Sequence, residues 1–167
     1  MRVKGFGNCP VYGHWVSLCG EIVPDKLQGF VYLVHCKETH KWYIGKKNFF
    51  SELKKKVAGS TRRKKIKKPS GWESYETSSD YIHDDIQMFG KDKFEFYIVQ
   101  TYSTKGGLTY AEANLQHKLD VMVKRLDSAN RLFYNAQVEK IRFIPKEFYP
   151  EAEQTILKIL KNKGTKL

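Results

Sequence analysis

The sequence predicts an α+β protein, and three observations carry that reading. Residues 29–35 and 41–47 are rich in β-branched and aromatic side chains, flank the polar Lys37-Glu38-Thr39-His40, and so read as a β-hairpin; 94–102 reads as a third strand. Apolar residues recur at helical spacing over 80–89, from about Thr109 to Leu126, and over 151–162. A chain of 167 residues with 41% hydrophobic content can bury one proper core but is too small for two independent domains.

In chain order, residues 1–28 are broken by Gly5, Gly7, Pro10, Gly13, Gly20 and Pro24, while Val11, Tyr12, Trp15, Val16 and Leu18 supply apolar surface. They read as an extension docked on the core with at most one short strand. Within the hairpin, alternation puts Phe30, Tyr32 and Val34 on one side, and Tyr43, Gly45 and Lys47 likewise on one side. Ser51 can cap a short helix over 52–57, which Gly59-Ser60 breaks. The tract 62–68 reads as a solvated loop or a frayed helix ending at Pro69-Ser70-Gly71.

Ser79 is an N-cap for the helix that places Tyr81, Ile82, Asp85, Ile86 and Phe89 at helical spacing, and Gly90 stops it. A long helix opens at Thr109-x-x-Glu112, a capping box, with Leu115, Leu119, Met122, Val123 and Leu126 on its inner stripe. Phe133-Tyr134-Asn135 closes the core, 141–145 is a short extended piece, and Ile156, Leu157 and Leu160 make the last helix amphipathic. The organisation is thus an extension (1–28), a core domain (29–145) with a basic insertion (46–68), and a C-terminal helix with a basic tail (146–167).

The net charge of +12 points to an acidic partner, with nucleic acid ahead of an anionic membrane surface. Its distribution is sharper than its size. Lys46, Lys47, Lys54, Lys55, Lys56, Arg62, Arg63, Lys64, Lys65, Lys67 and Lys68 face only Glu52 within one segment. Cys9, Cys19 and Cys36 form an odd set without CxxC, which argues for reduced thiols and against a disulfide framework or zinc ribbon. No apolar run is long enough to span a bilayer, so the expectation is a cytoplasmic protein with no membrane and no obligate protein partner.

Two hairpin tyrosines, lysines at the hairpin's end and a glutamate on a later helix suit phosphodiester hydrolysis. That reaction needs an activated nucleophile, positive charge for the developing oxyanions and help for the leaving oxygen. A phenol is a poor base near neutrality unless cations favour its phenolate, a bias that Lys46 and Lys47 beside Tyr43 are placed to supply. Magnesium is commonly held by one or two carboxylates with water and phosphate, so one glutamate suffices.

The motifs Gly29-Phe30-Val31-Tyr32 and Tyr43-Ile44-Gly45 resemble the paired motifs of the GIY-YIG nucleases. The continuation resembles the phage-type free-standing, Seg-like branch: Tyr43-Ile44-Gly45-Lys46-Lys47, a basic stretch, Trp72-x-x-Tyr75 with Ser78-Ser79, Asp85-Ile86 before Gly90, Tyr110-x-Glu112 and Tyr134-Asn135. The resemblance covers roughly residues 29–137. It implies a small three-stranded antiparallel sheet flanked by helices, and metal-dependent cleavage of double-stranded DNA in, for a phage-encoded protein, the bacterial host's cytoplasm.

By residue, the resemblance implies Tyr32 as general base or nucleophile-orienting group, with Tyr43 its partner and Lys46 or Lys47 as the adjoining cation; strand alternation favours Lys47. Glu112 would hold magnesium or manganese, and Asn135 would fix the site near its end. An arginine that the family carries about ten residues after the second tyrosine is replaced by Leu53. Its role would pass to Lys54, Lys55 or Lys56, or to Arg62 or Arg63 reaching back. The basic residues 54–56, 62–65, 67 and 68 would track the DNA backbone.

Blander readings stand beside these. Tyr32 and Tyr43 could be strand aromatics packing across the hairpin, Glu112 a capping residue and Asn135 a turn former. Trp72 and Tyr75 are either core or surfaces on which a base stacks. The sequence therefore supports a weakly specific DNA endonuclease, with a non-catalytic or degenerate nucleic-acid-binding protein as the alternative.

Overall fold

A computed structural model describes residues 1–59, 61 and 63–166. Its centre is a mixed five-stranded sheet rather than the three-stranded one expected. The hairpin is β5 (Gly29–Cys36) and β6 (Trp42–Asn48), and β9 (Phe94–Tyr102) pairs antiparallel with the other side of β5. These three strands fall where β-branched and aromatic composition put them. The turn between β5 and β6 is closed by His40 at φ 57°, the left-handed region.

The N-terminal extension is more ordered than expected. β1 (Arg2–Val3) and β2 (Gly7–Asn8) form a small hairpin, and β3 (Val11–Tyr12) with β4 (Trp15–Ser17) widens the main sheet to the order β3-β4-β9-β5-β6. β4 runs parallel to β9, pairing Trp15 with Phe96. The anchor is Trp15, whose fully buried indole packs edge-on against Phe30, Tyr32 and Phe96 at 5.1–5.4 Å and donates Nε1–H to the Trp72 carbonyl at 2.9 Å.

The basic insertion departs furthest from expectation. Residues 52–57 are not helical and 63–68 are not a loop; β7 (Phe50–Lys56) and β8 (Arg63–Pro69) form a separate antiparallel ribbon. Arg62 lies outside the described residues.

Helix α1 (Asp80–Phe89) follows Ser79 and ends at Gly90, whose φ of 91° takes the chain out of the helix. Helix α2 begins earlier and ends earlier than expected, at Lys105–Lys118. Its N-cap is Thr104, whose Oγ1 accepts from the Gly107 N–H at 3.0 Å, so Glu112 sits in mid-helix and not in a capping box. Met122, Val123 and Leu126 follow the helix and are exposed. The piece 141–145 is irregular rather than extended, and α3 (Glu151–Asn162) closes the chain.

Two cores cover the sheet. Val31, Leu33, Trp42, Ile44, Tyr97 and Val99 meet Leu108, Ala111 and Leu115 of α2 and Ile156, Ile159 and Leu160 of α3. Phe30, Tyr32, Val34, Phe96 and Ile98 meet Trp15, Phe49, Trp72 and Ile82 of α1 on the opposite face. Alternation along β5 thus sends Tyr32 toward α1, whereas Glu112 arrives from α2. The two meet only around the edge strand β6.

Glu95 on β9 ties the sheet to the C-terminal helix. It accepts from Lys163 Nζ at 2.6 Å and contacts His35 Nδ1 at 2.9 Å. Burial alone would raise its carboxyl, but these two partners outweigh burial and hold it at about 2. A depressed carboxyl stabilises the fold fully above its ordinary value of 4.5 and loses that contribution as pH falls toward 2. Glu95→Gln is therefore expected to cost about 2–3 kcal/mol at pH 7. In urea titrations across pH, the deficit against wild type should shrink steadily below pH 4.5.

Candidate active site

β6 is the edge of the main sheet, and its outer side is closed by side chains and an irregular segment rather than by another strand. Trp42 N–H donates to the Leu132 carbonyl at 2.9 Å and the Trp42 carbonyl accepts from Tyr134 N–H at 2.8 Å, a parallel bridge with Phe133 between. Two residues on, buried Asn135 accepts from Ile44 N–H at 3.1 Å and donates to the Ile44 carbonyl at 2.8 Å. Gln116 of α2 donates to the same carbonyl at 3.1 Å. Beyond this bracket the edge opens into a cleft of about 510 Å³ lined by Tyr43, Lys46, Tyr75, Ser78, Glu112, Gln116, Asn135 and residues 136–140.

Lys46 and Glu112 form the charged centre of the cleft. Lys46 Nζ donates to Glu112 Oε2 at 2.6 Å and to Glu139 Oε2 at 3.0 Å. Burial pulls the Lys46 ammonium down, but the two carboxylates outweigh it and hold it above its ordinary value. Burial pushes Glu112 above the usual carboxylate range, with Lys46 opposing that push.

The tyrosines stack around the second glycine. Tyr32 lies opposite Gly45 in the ladder, and its ring centroid is 6.0 Å from that of Tyr43. A Cβ on Gly45 would stand 2.5 Å from Tyr32 Cζ and Oη and 2.8 Å from Tyr43 Cε1, so only glycine admits both rings. Gly29, at the head of β5, is as confined, against the Lys47 carbonyl and the Leu108 side chain. Tyr43 Oη is 3.3 Å from Ser78 Oγ and faces the cleft. Tyr32 is fully buried behind it, and its hydroxyl has no hydrogen-bond partner among the described residues.

This arrangement alters the expected acid–base picture. Burial, followed by the neighbouring phenols Tyr43 and Tyr75, pushes Tyr32 well above its ordinary value. Burial raises Tyr43 as well; Ser78 draws it back and Glu112 pushes it further up. The expectation that nearby lysines favour a phenolate is therefore not met. Lys46 is occupied by two carboxylates, and Lys47 lies 3.7 Å from the centroid of the Tyr75 ring. Alternation does put Lys47 on the tyrosine face, but the cation that meets Glu112 is Lys46.

The remaining candidates lie elsewhere. Lys54, Lys55, Lys56, Arg63, Lys64, Lys65, Lys67 and Lys68 are exposed along the ribbon. Arg63 pairs with Lys56 at its far end, about 20 Å of extended chain from Phe50, so it does not reach back to the hairpin. Leu53 is on the same ribbon, and Arg62 is outside the described residues. Trp72 is 7% exposed and packed on Phe30 and Phe49, so it offers no face to a base. Tyr75 is half-buried at the cleft wall. Gln116 and Glu139 had not been singled out. Gln116 was findable as the residue one helical turn beyond Glu112 on the same face, whereas Glu139 lies in an irregular segment with no periodic signal.

The family model "Putative endonuclease segE, GIY-YIG domain" matches residues 16–138. That is most of the chain, and the protein belongs to this family of GIY-YIG endonuclease domains. The match begins at β4, so it takes in the strand that the tyrosine motifs alone would leave out. No curated protein and no solved structure matches the chain.

Because Tyr32 is sealed in and cannot yield, Gly45→Ala is expected to cost about 3 kcal/mol through overpacking. Chemical denaturation should show that loss, whereas Lys47→Ala, which removes only a partly exposed cation, should stay within about 1 kcal/mol of wild type.

Proposed function

We propose that the protein is a divalent-metal-dependent endonuclease that hydrolyses phosphodiester bonds of double-stranded DNA at the edge of β6. The observation that carries this reading is the meeting of Tyr43 and Lys46 of the edge strand β6 with Glu112 of the sequence-distant helix α2 in one open cleft. Family membership supplies the nuclease class.

The donor set suits a hard cation. Glu112 and Glu139 converge on one ammonium, and Gln116 Oε1 is buried on the same wall with no hydrogen-bond partner among the described residues. Among the described residues no group of three His, Cys, Asp or Glu side chains gathers, so a cation here would rest on Glu112, with water and phosphate completing its shell. Magnesium or manganese held there would polarise a phosphoryl oxygen and lower the pKa of a coordinated water.

The chain's own groups then divide the remaining work. Tyr43 stays a neutral phenol; with its proton directed at Ser78, its oxygen presents a lone pair that orients the attacking water. Tyr32 positions Tyr43 from behind rather than meeting substrate. Lys46 exchanges the half-exposed Glu139 for a phosphate oxygen, keeping Glu112 as its other partner. Asn135 and Gln116 hold the Ile44 backbone, and hence the spacing of Tyr43 and Lys46 on either side of it. The exposed ribbon cations supply affinity for the DNA backbone.

Supercoiled plasmid with magnesium tests the reading. Wild type is expected to nick, EDTA to abolish nicking, and Glu112→Gln and Tyr43→Phe to retain binding while losing at least about 100-fold in rate. Equal, EDTA-insensitive behaviour of all three proteins would leave a DNA-binding protein without catalysis, the reading favoured by the raised phenols and by Leu53 at the arginine position. The same assay against pH has a defined sign. Glu112 must be ionised, and burial raises its carboxyl, so the rate should fall with decreasing pH at values above 4.5, the ordinary position for glutamate.

A further inference from the structure

The ribbon is firmly rooted and otherwise unsupported. At its base Phe49 is buried against Phe30 and Trp72, at 5.2 and 5.1 Å between ring centroids. Ser70 donates its N–H to the Phe49 carbonyl at 3.0 Å and its Oγ–H to the Asn48 carbonyl at 2.6 Å. From Glu52 on β7 and throughout β8, every described strand residue is exposed. A lone two-stranded ribbon is marginal in water. This one also sets Lys54 opposite Lys65, Lys55 opposite Lys64 and Lys56 opposite Arg63. Like charges directly across a ladder destabilise it, and Lys65–Glu52 at 3.2 Å is the one ion pair on the ribbon among the described residues. Such a ribbon is complete only against a polyanion.

Its two faces differ. Glu52, Lys54, Lys56, Arg63, Lys65 and Lys67 share one. The other sets Leu53 directly opposite Ile66, 41% and 38% exposed, with Lys55 and Lys64 on the tip side and Lys68 toward the base. A surface that only gripped phosphates would gain nothing from an apolar pair at the middle of its span. Apolar side chains between lysines suit the floor of the DNA major groove, where thymine methyl groups lie beside guanine O6 and N7 acceptors. The dimensions agree: strands about 5 Å apart and about 20 Å long form a ribbon that the roughly 12 Å wide groove admits.

We propose that β7–β8 is a major-groove arm. It lays the Leu53–Ile66 face on the base edges, while the long cations of the other face reach phosphates along the groove walls. Only Phe49 separates β7 from the strand carrying Tyr43 and Lys46, so the arm sets where along the duplex the cleft falls. The inference rests on the reading of duplex DNA as substrate.

The test uses the full chain bound to duplex DNA in EDTA, so that cutting plays no part. Dimethyl sulfate should find guanine N7 protected in the bound duplex, and distamycin, a minor-groove ligand, should not compete. Leu53→Ser with Ile66→Ser should reduce preference among duplex sequences about tenfold with the salt dependence unchanged. Replacing residues 53–66 by Asn-Gly should weaken binding at least about 100-fold and flatten the salt slope, with the thermal midpoint of the body preserved because every described residue of that stretch is exposed. Unprotected N7, competition by distamycin, equal binding of an A-form RNA duplex or an unaltered serine double variant would each overturn the arm. The two proposals fail separately. A protein that protects N7 yet never nicks retains the arm and loses the nuclease, and one that nicks without protection does the reverse.

Discussion

The site depends on how the edge strand β6 is closed. An edge strand exposes N–H and C=O groups that must find partners or water. Here the partners change along the strand: backbone from 132–134 at Trp42, the Asn135 and Gln116 amides at Ile44, and none of these beyond Lys46. A sixth strand would have covered that edge throughout and filled the cleft. Side-chain amides satisfy one residue and then stop, so the opening begins past Ile44, at Lys46. Glu112 stands one helical turn before Gln116 on the same face of α2, which brings its carboxylate to the same opening.

The two halves of the molecule handle charge in opposite ways. In the cleft, two carboxylates answer the Lys46 ammonium, while burial above all keeps the phenols Tyr32 and Tyr43 neutral. On the ribbon, cations oppose cations with almost nothing between them. Carboxylates gathered at the cleft and cations massed along the neighbouring ribbon make a consistent division. Under the proposed function the first would hold a cation and the second would draw in the DNA backbone, requirements that call for opposite charge.

Much of this was legible in the sequence, because local composition and period dominate where burial is on one face. The hairpin, β9, α1 and α3 lie where alternation and helical spacing put them. What escaped was set by distant partners. β4 is a strand because Trp15 finds a pocket among Phe30, Tyr32 and Phe96, and no local pattern contains that information. Helix α2 runs through Gly106-Gly107, a pair that breaks helices in isolation, because Thr104 caps it there, and a Cβ at Gly107 would crowd Glu147. The ribbon escaped because like-charge repulsion argues correctly against order in the isolated segment; its strands are fixed at the base by buried Phe49. The site was legible in membership more than in geometry. Alternation put Lys47 with the tyrosines, but the ion pair follows the other face, where α2 packs.

The tyrosine chemistry is the point at which geometry overrides residue type. A phenol invites the role of base, and two of them beside lysines invite it more strongly. Yet Tyr32 is sealed over Gly45, where burial and the neighbouring phenols Tyr43 and Tyr75 disfavour its anion. Tyr43 alone reaches the cleft, and Glu112 pushes its ionisation further away. In the proposed function a group so placed would work by direction rather than by basicity: it would fix a water's position and leave that water's acidity to a cation held at Glu112. That division also makes Leu53 at the arginine position intelligible. A site whose phenols remain neutral has no phenolate to stabilise, and in the proposed function the cation would meet the phosphate instead, the role given to Lys46 in exchange for Glu139.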